Sequence, residues 1–218
     1  LRRAALGIIR LILENKMNIQ LSWLVDRALQ QYQTGDVLSF DNPKQGLIEF
    51  FVDRLKVYLR TQGARHDLVE AVASTGDDNV LRLLQKSNSL ADFLSTEDGG
   101  NLLSAYKRAC NILQIEEKRD DKKYGLKPVD EKKFKQKEET QLWEALDQLK
   151  ESNPGASDMS RFDEMLGDLA NLRAPVDCFF ERVTVNTDEA DIRENRLRLL
   201  SEIETCLNKV ANFSCIDG

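Results

Sequence analysis

Histidine is nearly absent from this 218-residue chain: His66 alone stands against 31 lysines and arginines and 37 aspartates and glutamates. That count argues against a histidine-based catalytic triad, a zinc site of mixed His and Cys ligands, or a multi-histidine phosphohydrolase centre. A hydrolase built on His66-Asp67 would need bound metal, and the dipeptide lacks companion ligands; His66 also reads as a polar residue at a helix start. Cysteine is scarce too. Cys110, Cys178, Cys206 and Cys215 show no CxxC spacing and read as buried free thiols of a reducing compartment. With 11 glycines, 4 prolines and few β-branched runs, the composition favours helix over sheet.

Long apolar runs are missing as well. The best candidate, Ala4 to Leu13, is broken by Gly7 and Arg10 and falls short of the roughly 20 residues of a membrane span. The arginines of Leu1-Arg2-Arg3 are not followed by a signal-peptide core and cleavage site, and a chain opening on Leu1 reads as a piece of something longer. Gly99-Gly100 lacks the Lys and Ser/Thr of a phosphate-binding loop. The carboxylates lie on polar faces or helix caps rather than in the apolar settings that general acid and base groups need. No catalytic, cofactor-binding or metal-ligating residue is therefore assigned, and the chain reads as a binding or assembly module.

What is present is apolar content of 41%, enough for a core, and 31% charged residues with a net charge of −6. The acidic balance argues against nucleic-acid binding through overall charge, but leaves room for a local basic face.

Helical periodicity runs through the chain. Helices are expected over Leu1–Asn15 and over Leu21–Tyr32, the latter stopped by Gly35. A third is capped by Asp41 or Asn42, has Pro43 in its first turn, and ends near Gly63, with Arg54, Lys56 and Arg60 on its outer side. His66–Ser74 ends at Gly76; Asp77 caps Asp78–Lys86, and Leu90–Leu94 adds a turn. The patch Ser95 to Gly100 marks the expected boundary between a helical body, 1–97, and a second helical part, 100–218.

In the second part, Asn101–Gln114 forms a helix with Arg108 and Asn111 on its exposed face and Lys107 at the border. The stretch 115–137, dense in both charges, reads as a solvated linker or, alternatively, as a basic arm that steers phosphates. Further helices are expected over Glu138–Lys150, ended by the turn Ser152 to Gly155, and over Asp158–Leu172. Pro175 starts the PVDCFF helix, and Asn186 or Thr187 caps the last one. TVNT is too short and polar for a strand.

The last helix has polar residues where its apolar stripe should be. Ile192, Leu199, Leu200, Ile203, Leu207 and Val210 recur at the spacing of a buried face, yet Arg196 falls inside the stripe and Asn195 borders it. Two readings stand. Arg196 pairs with Asp177 and fixes the packing of two helices, or Arg193, Asn195 and Arg196 form a polar edge for unpaired RNA bases and phosphates.

Four segments carry a family resemblance: LRRAALGIIRLI, FFVDRLKVYLRTQGARHDLVEAV, AYKRACNIL and LANLRAPVDCFFERVTVN with IRENRLRLL. In order and near spacing they resemble the carboxy-terminal third of the bacterial-type glycyl-tRNA synthetase β subunit, and the last resembles the DALR-type anticodon-binding domain shared with arginyl-tRNA synthetases. The resemblance implies an all-α fragment, a helical body following an HD-like domain and then a DALR-type helical bundle. It implies a class II enzyme of α and β subunits that joins glycine to its tRNA, with ATP and Mg used through the α subunit and tRNA binding in β. Partners would be glycine tRNA and the α subunit, with no DNA and no membrane, in the cytoplasm or an organelle. Positions matching the family motifs are Lys107, Arg108 and Asn111, then Asp177, Phe179 and Phe180, then Arg193, Asn195 and Arg196. The tail VANFSCIDG and the lysine-rich insert depart from the pattern. The alternative is a structural module for subunit assembly without base contact.

Overall fold

The computed structural model describes residues 1–32, 43–63, 65–151 and 159–217. The fold is all-α, with nine α-helices and no strand among the described residues. Packing divides the chain into two units, Leu1–Ala91 with Cys215–Asp217, and Asp92–Ser214. The division falls inside a helix, upstream of the Ser95–Gly100 patch from which the boundary was expected.

The first unit holds α1 (Arg2–Glu14), α2 (Leu21–Tyr32), α3 (Pro43–Thr61), α4 (His66–Ala73) and most of α5 (Val80–Ser95). Ile9, Ile12, Leu55, Val69, Val72 and Leu83 are buried in its core. The turn before α5 differs from expectation. Asn79, not Asp77, caps the helix, its Oδ1 accepting from the Arg82 N–H at 3.0 Å. Asp77 instead takes Arg82 and Lys86, at 2.6 and 2.7 Å, in a buried cluster. Burial would raise the Asp77 pKa, but the hydrogen bonds from Arg82, Lys86 and the Asn79 N–H outweigh it and hold the carboxyl below its ordinary value. α5 is one helix, not two pieces. The departing tail is held: the Asp217 N–H donates to Asp67 at 3.1 Å, and Arg65 Nη2 donates to the Asp217 carbonyl at 2.8 Å.

The second unit is a four-helix bundle of α6 (Glu97–Asp120), α7 (Lys137–Glu151), α8 (Met159–Arg182) and α9 (Ala190–Val210). α6 and α7 each pack on both α8 and α9. Leu102, Ala109, Leu142, Leu146, Phe162 and Leu200 lie in its core.

Several expectations change here. The Gly99-Gly100 pair is not a break but the first turn of α6, which Thr96 caps by accepting from the Gly99 N–H at 3.1 Å. A Cβ on Gly99 would lie 2.1 Å from the Phe93 carbonyl oxygen, so glycine is required by the close approach of the end of α5. Pro175 lies inside a continuous α8 rather than starting a helix. Its missing N–H removes one ladder bond, while Leu172, Val176 and Phe179 keep the apolar face buried across it. Glu189, not Asn186 or Thr187, occupies the N-cap of α9, with no side-chain bond. The proposed stop at Gly35, the caps Asp41 and Asn42, the Ser152–Gly155 turn and the helix start at Asp158 lie outside the described residues.

Candidate nucleic-acid interface

The polar interruption of α9 holds the charged 115–137 stretch in place, and this overturns the linker reading. α6 continues through Glu116 to Asp120, and the chain then crosses α9, passes a 3-10 turn at Glu131–Lys133 and enters α7. Four residues of the IRENR motif pin it, Glu194 through its ion pair with Lys122 and three others more firmly.

Asn195, 1% exposed, makes two bonds to one residue of the crossing chain: its Oδ1 accepts from the Asp130 N–H at 2.8 Å and its Nδ2 donates to the Asp130 carbonyl at 2.9 Å. Arg196 donates to both carboxylate oxygens of Glu139, from Nε at 2.9 Å and Nη2 at 3.3 Å, and to the Thr184 carbonyl at 2.8 Å. Glu139, wholly buried, also accepts from the Lys135 and Gln136 N–H groups at 2.8 Å each, closing the N-terminus of α7 as the acidic half of a capping box does. Burial pushes the Glu139 pKa up, yet Arg196 and the two N–H donors bring it below the usual carboxylate range.

Arg193 gathers the third anchor. It binds Glu116, reaches Asp120 at 2.7 Å, and lies 3.3 Å from the Asn186 side chain and 3.4 Å from the Tyr124 hydroxyl. Hydrogen bonds from Tyr124 and Arg193 hold the Asp120 carboxyl down to about 2. Burial would depress the Arg193 pKa, but the surrounding carboxylates raise it. Arg198, one turn on, binds Glu194 and donates to the Pro128 carbonyl at 3.1 Å.

The expected Asp177–Arg196 pair is therefore replaced. Asp177 faces along its own helix to Arg173, 3.4 Å away, which also binds Glu97 and Asp98 at 2.9 and 2.5 Å. Arg196 faces α7, where Glu139 is the carboxylate within reach; spacing along a chain does not reveal which helix lies opposite. Nor do Arg193, Asn195 and Arg196 form an outward edge, since each is engaged internally.

Of the other motif residues, Phe179 is buried in the bundle, while Lys107, Arg108 and Asn111 reach the surface. Lys107 and Asn111 line a cleft of about 1040 Å³ between α6, the crossing segment and α9, together with Gln114, Lys118, Lys122 and Lys123. Glu117, Asp121 and Glu204 also face it. Lys122 and Lys123 pair with Glu194 and Glu117, whereas Lys107 and Lys118 make no ion pair among the described residues. Arg108 lies outside this lining; its guanidinium stacks 4.5 Å from the centroid of the Phe180 ring, which in turn meets Phe179 edge-on. Sequence reasoning offered the 115–137 stretch as a basic arm only as an alternative and singled out none of its lysines. The signal was their density, which the mixed charge of the stretch disguises.

Among the described residues no three His, Cys, Asp or Glu side chains gather as metal ligands, and no helix is long and apolar enough to cross a membrane. The family model described as the DALR anticodon binding domain matches residues 102–213, and that described as the glycyl-tRNA synthetase beta subunit matches residues 1–74. Over its whole length the chain is 45% identical to the glycine–tRNA ligase beta subunit of Rhodospirillum centenum, 42% to that of Ruegeria sp. and 41% to that of Phenylobacterium zucineum. It spans 30% of the length of each of these curated relatives.

Proposed function

We propose, since the chain belongs to the DALR anticodon-binding family, that it binds the anticodon arm of glycine tRNA as part of a glycine–tRNA ligase β subunit. The carrying observation is that the residues matched by that family model contain a cleft whose rim holds Lys107, Asn111 and Lys118 without ion pairs among the described residues. On this reading Lys107 and Lys118 meet phosphates, and the Asn111 amide meets the edge of a splayed base. Arg108, with one face on Phe180, turns its other face to an unpaired base. Joining glycine to the tRNA with ATP and Mg is assigned to the α subunit, the second partner. The location is that of translation, cytoplasmic or organellar.

Chemical or nuclease footprinting of a glycine tRNA transcript with the full chain tests this. Protection of the anticodon arm is the expected result; protection confined to the acceptor stem, or none, overturns it.

For Arg193, Asn195 and Arg196 a second reading, a structural role without base contact, is favoured by their internal bonds. Arg196→Ala separates the two: a collapse of melting temperature marks the structural role, and a surviving fold with weakened tRNA binding marks the contact role.

A further inference from the structure

The crossing segment sorts its charges. Most acids in it and at its ends are drawn inward or onto neighbours: Glu116 and Asp120 to Arg193, Glu117 to Lys123, Glu138 to Arg182 at 3.8 Å, and Glu139 to Arg196, while Asp121 and Glu131 stay exposed. Asp130 turns its side chain onto the Lys132 N–H at 3.1 Å. Arg119, Lys122, Lys123 and Lys133 take carboxylates, and the remaining lysines are left outside. Lys118, Lys127, Lys132, Lys135 and Lys137 are exposed and have no carboxylate within salt-bridge distance among the described residues. A protein of net charge −6 thus presents, over 118–137, nine lysines and arginines against four acids, of which Asp121 and Glu131 stay exposed beside the lysines, on a stretch that holds one 3-10 turn between α6 and α7 and is fixed at both ends and in its middle. Fixation matters, because a free basic arm gives up conformational entropy on binding that a fastened one has already lost.

From this we infer that segment 118–137 is a preformed clamp for the RNA phosphate backbone, and that Asn195 and Arg196 are positioning residues which act through it rather than by touching RNA. The inference rests on the tRNA-binding reading and deepens it. It turns the IRENR motif from a candidate contact into the fastening of the contact surface, and places the phosphate contacts on residues outside that motif. Lysine suits the task as a point charge that needs no fixed fork geometry. Contacts of this kind position the RNA without reading its sequence.

The test is tRNA affinity as a function of salt, from 50 to 200 mM, with the full chain and a glycine tRNA transcript. The triple variant Lys127→Ala, Lys132→Ala, Lys135→Ala is expected to weaken binding at least about tenfold at low salt. It should also lower the slope of log affinity against log salt by about 2 to 3, at roughly 0.7–0.9 per phosphate contact. Lys209→Ala, an exposed lysine at the far end of α9, leaves the slope unchanged. Asn195→Ala weakens binding in the wild-type background but has little further effect in the triple-lysine background, because it acts through the same segment. An unchanged slope in the triple variant overturns the inference, and so does an Asn195→Ala effect that simply adds to the triple. Discrimination of anticodon-changed tRNA alongside unchanged slopes defeats the clamp and leaves the anticodon reading standing. Absence of tRNA binding by the wild-type chain overturns both. The lysine substitutions are at exposed positions, so the test survives even if Asn195→Ala fails to fold.

Discussion

The residue that organises the second unit is Glu139, a buried carboxylate closed off by one guanidinium and two backbone N–H groups. Removing its partner strands a charge in the interior, so Arg196→Ala is expected to cost about 3–5 kcal/mol in urea melts; a loss below about 1 kcal/mol would place the pair at the surface in solution. Acid tests the same contact. Because the folded state holds the Glu139 pKa below the ordinary carboxylate value of about 4.3, the bond contributes fully above that value. Its contribution is lost as pH falls through the depressed folded pKa. Asp77 and Glu116, also lowered, act in the same direction. Glu139→Gln is therefore expected to flatten the fall in stability below about pH 4.3, and an acid limb as steep as that of the wild type would contradict this. The sequence marked Arg196 as a side chain in need of a partner, since a guanidinium inside an apolar stripe demands one. It could not name Glu139, because the partner depends on which helix packs opposite.

Among the elements, the α5–α6 junction and α8 show where local pattern and tertiary packing part. Gly-Gly reads as a break by propensity, but at Gly99 the second helix passes too close to the Phe93 carbonyl for any side chain. Gly99→Ala is expected to destabilise by about 1–3 kcal/mol through backbone displacement. Gly167→Ala, with open space around its Cβ and a helical backbone, should stabilise by up to about 1 kcal/mol. Thermal melts of the pair check both signs, and equal effects would refute the close approach. The apolar stripes of α1, α7 and α9 were legible because burial imposes the helical period on sequence. The length of α6 and the order of the crossing segment were not, because they depend on partners far along the chain, Arg193 for Glu116 and Asn195 for Asp130; nor was the continuity of α8, because Pro175 reads as a helix start until the buried residues on either side of it are seen on one face.

Across the whole molecule, net charge and local charge oppose one another. The acidic total keeps non-specific nucleic-acid affinity low, and the paired arginines of α9 occupy nearby carboxylates, leaving lysines to face solvent. The family could be read from four sequence blocks, yet the blocks could not tell inward from outward side chains: Asn195 and Arg196 are where the motif put them and face inward. Affinity for RNA at moderate salt should therefore come from few contacts and depend on a preformed surface. The most direct test is a titration of the full chain with glycine tRNA and with the same tRNA carrying changed anticodon bases. Binding weaker by about 1–3 kcal/mol per altered base that is read is the predicted result, and equal affinity for both RNAs would contradict it.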